Sequence, residues 1–399
     1  MKMYLQFGHG MMEHARVLLS SWSDSGVILS PRDLTESQMV RLAADIRERR
    51  AEPLLDPQCF ARDADHPRLT EHRYWQVVKS QSTGAFTGGA GTAALLSELA
   101  QLGNSLGVSR HILPGCLAPT VGEDWFLMQE SILDEASGHY GGAPLIMTIA
   151  LGAEAMSSEE QIEAVVERCS GWDVSAIYLV AETPSPYLTD SPTWLANLLL
   201  LSSGIKLAGK EVIVGYSNHQ MLCLGAANVD IVASGTWLNV RAFPPEKFYQ
   251  TEDDSISRRA TWYYCPQALS EYKIPFLDIA HRTGVLSQMR SPAAIGSHYA
   301  DILFGGAVPT SVSWSETNAF RHYLTCLRSQ VLAIKRGSFA DTVSVINMSL
   351  DDAEALLRNL RRVGVMGQDR DFHEYVDVVR SAMVQFASAR EARLSRAWG

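Results

Sequence analysis

From about residue 26 the chain alternates short runs of β-branched and aliphatic residues with longer amphipathic stretches. Seven runs have strand character: GVILS (26–30), EPLLD (52–56), RHILPG (110–115), PLIMTIA (144–150), SAIYLVA (175–181), EVIVGY (211–216) and VDIVA (229–233). Each is too short for a helix, which points to buried strands. Segments of helical period separate most of them, the signature of βα units and a parallel sheet. In TESQMVRLAADIRERR, Thr35 and Gln38 stand at capping-box spacing, and Met39, Leu42, Ala43 and Ile46 fall on one face. Ser157 with Glu160 repeats the device before QIEAVVERC, and Ser191-Pro192 puts proline at a first helical position. An eighth strand is expected in IPFLDIA (274–280) or around DILFGGAV (301–308). The pattern favours an α/β fold, a (β/α)8 TIM-like barrel over residues 1–312, above an open sheet.

Two insertions break the rhythm, at about 60–90 and 240–275. Both follow strand ends, where barrels place their substrate loops. From about 313 to 399 the pattern is mainly helical, which predicts a C-terminal helical extension and a surface for a protein partner.

Composition narrows the classes. The 399 residues are 46% hydrophobic and 20% charged, ordinary for a globular protein with a large core. No apolar run approaches the roughly 20 residues that span a bilayer, and the start MKMYLQFGHG lacks the order of a signal peptide. A cytoplasmic protein away from membranes is expected. The six cysteines are scattered with no CxxC pair, so neither a disulfide framework nor a thiolate zinc site is signalled. A formal net charge of −10 argues against a surface that grips nucleic acid everywhere, while leaving room for a local basic patch.

Candidate chemistry collects at strand ends. Asp56 closes EPLLD, where a barrel carboxylate serves as general base or stabilises positive charge; a turn aspartate is the plainer reading. Glu182 follows SAIYLVA, Asn218 and His219 follow VIVGYS, and Asp33 with Arg32 follows the first predicted strand. Gly84, Gly88 and Gly89 mark a loop that approaches a ligand closely, but no GxGxxG or GxxxxGKS pattern is present and no cofactor is expected. Trp262, Tyr263 and Tyr264 with Arg258 and Arg259 have the residue types that stack bases and neutralise phosphates, or that pack a loop. His9, His14, His66 and His72 lack metal-ligand spacing, and no metal is expected.

The segment LLDPQCF resembles a strand end of the tRNA-guanine transglycosylases, which read Asp-Ser-Gly-Gly-Phe there, and of their DNA-modifying 7-deazaguanine relatives, which read Asp-x-Gly-Ala-Phe. PLIMTIALG, SAIYLVAE and VIVGYSNHQMLCLGAANVDIVASGTW follow in that family's order, and ASGTW is similar to the Asp-Ser-Thr-Ser-Trp of the DNA-modifying branch. The likeness spans about residues 26–285. It implies a barrel that exchanges a guanine-type base in tRNA or DNA, with Asp56 in the general-base position. The family's nucleophilic aspartate falls on Ala233, whose methyl cannot attack an anomeric carbon. Asp230 or Glu182 then becomes the expected catalytic partner, and the family's zinc cluster is reduced to Cys265 with a distant His281. Gln58, Phe60, Asn218, His219, Ser234, Trp237 and Arg241 are the expected substrate-binding residues. Two other readings stay open: a non-catalytic relative that binds nucleic acid, a nucleobase or a protein, and a barrel lyase or hydrolase holding a small anion with Arg32, Arg110 and Arg241.

Overall fold

The computed structural model describes residues 1–250 and 261–398. Parallel strands run in the order β3 (Glu52–Leu55), β2 (Gly26–Leu29), β1 (Lys2–Gln6), β9 (Ile231–Ser234), β8 (Glu211–Val214), β7 (Ala176–Ala181), β6 (Leu145–Leu151) and β4 (His111–Ile112). A short β5 (Leu117–Ala118) also pairs with β6 and continues the stave begun by β4. The result is a nearly closed (β/α)8 barrel of eight staves, with helices between strands and further helices at the C-terminus. The remaining seam, between β3 and β5, is bridged where the Leu117 N–H donates to the Phe60 carbonyl at 2.9 Å.

The eighth stave is β1, at the very start of the chain, and not either predicted segment. IPFLDIA lies in a helix, Ile274–Arg282, because Pro275 sits in its first turn and Ile274, Leu277 and Ala280 recur at helical spacing on the buried side. DILFGGAV runs through a 3-10 turn, His298–Phe304, into exposed glycines. The strand β1 closes the barrel by pairing Lys2 to Leu5 with Ile231 to Ser234 on one side and Leu5 and Gln6 with Val27 and Ile28 on the other.

Local signals shaped the helices. Thr35 and Gln38 form the reciprocal capping box of helix Glu36–Glu48, and Ser191 accepts from the Trp194 N–H to open Pro192–Leu207. The second predicted box is one residue off: Ser158 accepts from the Gln161 N–H, while the Ser157 hydroxyl donates to the Ala153 carbonyl of a preceding short helix. Gly88 and Gly89, both at positive φ, open helix Gly89–Leu106.

The base of the barrel is locked by charge. Arg110 donates to Glu52 at 2.8 Å and to Glu211, and the Tyr4 hydroxyl donates to Glu52 at 2.6 Å. The C-terminal helices Glu316–Ile334, Phe339–Arg362 and His373–Trp398 are part of the body, since Leu324, Phe386 and Leu394 belong to the same buried cluster as the barrel strands. His373–Trp398 lies on Pro192–Leu207, which explains why the latter is buried from Trp194 to Ile205 without an exposed stripe. A second cluster joins the hairpin of β10 (Trp262–Cys265) and β11 (Ser270–Lys273) to Leu357, Leu360 and Val365. Among the described residues no helix is long and apolar enough to cross a membrane.

Gly26 sits where any side chain collides with the neighbouring strand: an added Cβ would lie 2.6 Å from the Glu52 carbonyl oxygen and 2.5 Å from the Tyr4 ring. Overpacking of this kind costs about 1–3 kcal/mol. Gly26→Ala is therefore expected to lower the unfolding free energy by that amount, read as a lower urea midpoint at unchanged slope, and an unchanged midpoint would refute the tight β1–β2–β3 packing.

Candidate active site

Asp56 stands just past β3 and is wholly buried at the C-terminal mouth of the barrel. Its Oδ1 accepts the Gln58 N–H at 2.9 Å, the turn role that an Asp-Pro pair favours. Its Oδ2 accepts the hydroxyls of Tyr216 at 3.0 Å, just past the end of β8, and of Tyr178 at 3.2 Å, from within β7. Burial pushes the Asp56 carboxyl up to about 6, against the lowering effects of the Gln58 N–H, the Lys247 charge and the two tyrosines. Gly215 makes room for this contact, since a Cβ there would lie 2.6 Å from the Tyr178 hydroxyl.

The backbone around this carboxyl is strained. Gln58 (φ 57°) and Tyr216 (φ 51°) occupy the left-handed region without being glycine. Such conformations persist where surrounding contacts enforce them, and they gather at functional sites. Gln58 is held by its own side chain, which donates to the Ser30 hydroxyl at 2.9 Å and accepts the Arg32 N–H at 2.9 Å. Ser30 in turn donates to Asp33 at 2.7 Å, so Asp33 belongs to this buried scaffold, with Arg32 paired to it at 3.0 Å.

A roof covers the carboxyl. The chain after β9 crosses the mouth, and Phe243 and Phe248 pack with Phe60 and Tyr216 in a cluster whose ring centres are 4.9–6.5 Å apart. Lys247 places its ammonium 3.8 Å from the centre of the Tyr216 ring and donates to the Asn239 carbonyl at 3.1 Å. Burial brings this lysine down to about 7, partly offset by the charge of Asp33. Four anchors among the described residues pin the strap: Arg32 Nε donates to the Lys247 carbonyl at 2.6 Å, the His66 N–H to that of Phe248 at 3.0 Å, the Tyr249 hydroxyl to Asp63 at 2.8 Å and the Gln250 N–H to Asp65 at 2.6 Å.

Beside the roof opens a cavity of about 1260 Å³, walled by the ends of β1, β2 and β9, the β10–β11 hairpin and helix Glu316–Ile334. Arg241 enters its wall almost fully buried. It donates to Glu271 at 3.1 Å and to the Gly235 carbonyl at 3.0 Å, and its guanidinium carbon lies 3.4 Å from the centre of the Tyr323 ring. Glu271 also accepts from Arg370 and Tyr187, at 2.6 and 2.8 Å. Burial pushes the Glu271 carboxyl up, but the two guanidinium charges outweigh it and leave it below the ordinary range.

The remaining candidates are placed as follows. Asp230 precedes β9 at the opposite end of the barrel, bonded to Lys206 at 2.8 Å and to the Val212 N–H at 2.8 Å. Four strand residues, about 13 Å at ~3.3 Å each, separate it from the mouth, so it cannot partner Asp56. Arg110, at the base, is likewise no anion ligand beside Arg241. Glu182 accepts the Ala153 N–H at 3.1 Å and caps the short helix Ala153–Met156. Asn218 donates to the Tyr187 and Arg241 carbonyls and caps the next turn, a scaffolding role. His219 is buried among Tyr187, Tyr264 and Phe372, and burial brings it down to about 4, so it is neutral at pH 7. Ala233 and Ser234 end β9 with no exposure, and no carboxylate stands at that position. Trp237 lines the cavity, donates to the His9 carbonyl at 3.1 Å and packs edge-on with Phe320.

Of the aromatic run, Tyr263 and Tyr264 are buried and bonded to the Met289 carbonyl and to Gln330, and Trp262 lines the cavity together with Tyr264; Arg258 and Arg259 lie outside the described residues. His72 bonds the carbonyls of Pro31 and Leu34, and among the described residues no group of three or more His, Cys, Asp or Glu comes together to hold a metal ion. Tyr178, Tyr216, Lys247, Glu271 and Arg370 were not singled out by sequence. The only local hint was tyrosine at strand interiors and ends, where a hydroxyl needs a partner.

Removing one hydroxyl donor from Asp56 is expected to raise its pKa further. In Tyr216→Phe, a carboxyl carbon titration by NMR should move above about 6; an unchanged midpoint would mean the hydroxyl bond contributes nothing. The raised pKa also predicts a stability profile. The unfolded carboxyl ionises first, so wild-type stability falls as pH rises from about 4 through 6. Asp56→Asn removes that loss. Urea midpoints at pH 4 and 7 should therefore shift in the variant's favour at the higher pH, and a parallel pH dependence would contradict the assignment.

Comparison with known protein families and with curated proteins finds no match to this chain.

Proposed function

We propose that this barrel acts on the N-glycosidic bond of a nucleobase, in nucleic acid or in a nucleoside, with Asp56 handling the proton. The observation that carries the reading is a buried carboxyl at the barrel mouth, pushed to about 6 and held by two tyrosine hydroxyls. A group titrating near neutrality gives and regains a proton efficiently. Protonated Asp56 would deliver its proton to the departing base nitrogen as the bond to the sugar carbon breaks. The incoming nucleophile, water or a second base, bonds to that carbon and returns a proton to the carboxylate. With alanine at 233, no carboxylate there forms the covalent intermediate that the resemblance implies. The strap over Asp56 must move for the chemistry to occur, since the carboxyl has no exposure in the closed arrangement.

A second reading, binding of a nucleobase or nucleic acid without turnover, draws on the same two facts: the alanine at 233 and the sealed carboxyl. One experiment separates them. Purified protein is incubated with tRNA, with DNA and with labelled guanine or 7-deazaguanine, and mass spectrometry reads released or exchanged base. Turnover that drops by roughly 10²–10⁴-fold in Asp56→Ala, the usual contribution of general acid–base catalysis, supports the first reading. A stable complex with no change of base supports the second, and neither binding nor turnover removes both.

A further inference from the structure

The mouth cavity carries a charge opposite to that of the whole chain. The formal net charge is −10, yet the described residues lining the cavity include five arginines and lysines against three acids. A concave wall of one sign concentrates ions of the other.

The excess is localised. Among the described residues two guanidinium groups share the single carboxylate of Glu271, which leaves one positive charge in excess there. Arg241 is committed to the protein through Glu271, the Gly235 carbonyl and the Tyr323 ring. Arg370 is not. Among the described residues it donates only to Glu271, and its guanidinium carbon lies 4.1 Å from the centre of the Trp262 ring, which orients the fork while leaving N–H donors over. Lys273 approaches the same ring at 5.0 Å and, among the described residues, donates only to the neutral side chain of Gln368. The Thr236 hydroxyl, 1% exposed, lines the same cavity and has no hydrogen-bond partner among the described residues.

We propose that Arg370 and Lys273, braced on Trp262, form a binding site for a phosphate group, presented either on a small monoester or on the backbone of a strand. The planar fork of arginine matches phosphate oxygens two at a time, and the adjacent ammonium adds a point charge. The site stands apart from Asp56 and does not depend on glycosidic chemistry.

The test is calorimetric titration of inorganic phosphate, a nucleoside 5′-monophosphate and a single-stranded oligonucleotide, at constant ionic strength. Wild-type protein is compared with Arg370→Gln and Lys273→Gln, with melting temperature as the control for folding. Lys273 is partly exposed and outside the Glu271 cluster, so its variant is expected to keep the wild-type melting temperature. Both variants should weaken binding at least tenfold. Loss confined to the oligonucleotide assigns the site to a strand, and loss shared by the monoester assigns it to a free phosphate; either supports the proposal. Equal affinity in wild type and both variants, or no binding of any of the three below millimolar concentration, overturns it.

Discussion

The pairing of the first strand with the last is the contact on which the site depends. Lys2 to Leu5 lie in register with Ile231 to Ser234, and that ladder turns an open sheet into a near-closed barrel. Closure brings Gln6 into the interior, where its side-chain amide oxygen lies 3.3 Å from the Tyr178 hydroxyl that also reaches Asp56, so one proton is shared between the two acceptors. It also aligns the ends of β1, β2 and β9 on one rim, so that the strap after β9 can cross to Arg32 and His66. At the other end the same closure lets Arg110 join the acids of β3 and β8. A barrel interior is a packed core, and here the core is polar at its top layer.

That polar layer explains the balance at Asp56. Burying a carboxylate is costly, and the protein offsets part of the cost with three donors and a nearby ammonium. The offset is incomplete, so the carboxyl remains easier to protonate than a surface aspartate. Strain at Gln58 and Tyr216 belongs to the same balance, because both residues adopt left-handed backbone while supplying donors to one acid. Glu271 shows the contrary outcome. Equally buried, it faces two guanidinium groups and stays ionised, and the positive surplus passes to the cavity wall. Two buried acids on one rim are thus tuned apart by their neighbours.

Much of this was legible in sequence where the cause is local. The seven predicted strands between residues 26 and 233 are strands, though RHILPG contributes only His111–Ile112, and the Thr35 and Ser191 caps open their helices. Asp56 falls at the mouth because a residue that closes a barrel strand has little choice of place. β1 is hard to read because KMYLQ is one short run whose pairing partners lie far away in the chain, whereas IPFLDIA has a strand's composition but a proline in its first turn and a period of 3.6.

Tertiary structure alone decided which groups meet. Asp230 went to the base because β9 begins only at Ile231, so the acid stands at the strand's N-terminal end, away from the mouth, whatever its distance in sequence from the rim residues. Tyr178, Tyr216 and Lys247 reached Asp56 from 122, 160 and 191 residues away in the chain, and Glu271 was joined by Arg370 from 99 away. Periodicity and capping act over a few residues and so determined the elements. Closure of the barrel and the path of the strap act across the whole chain, and they determined the site.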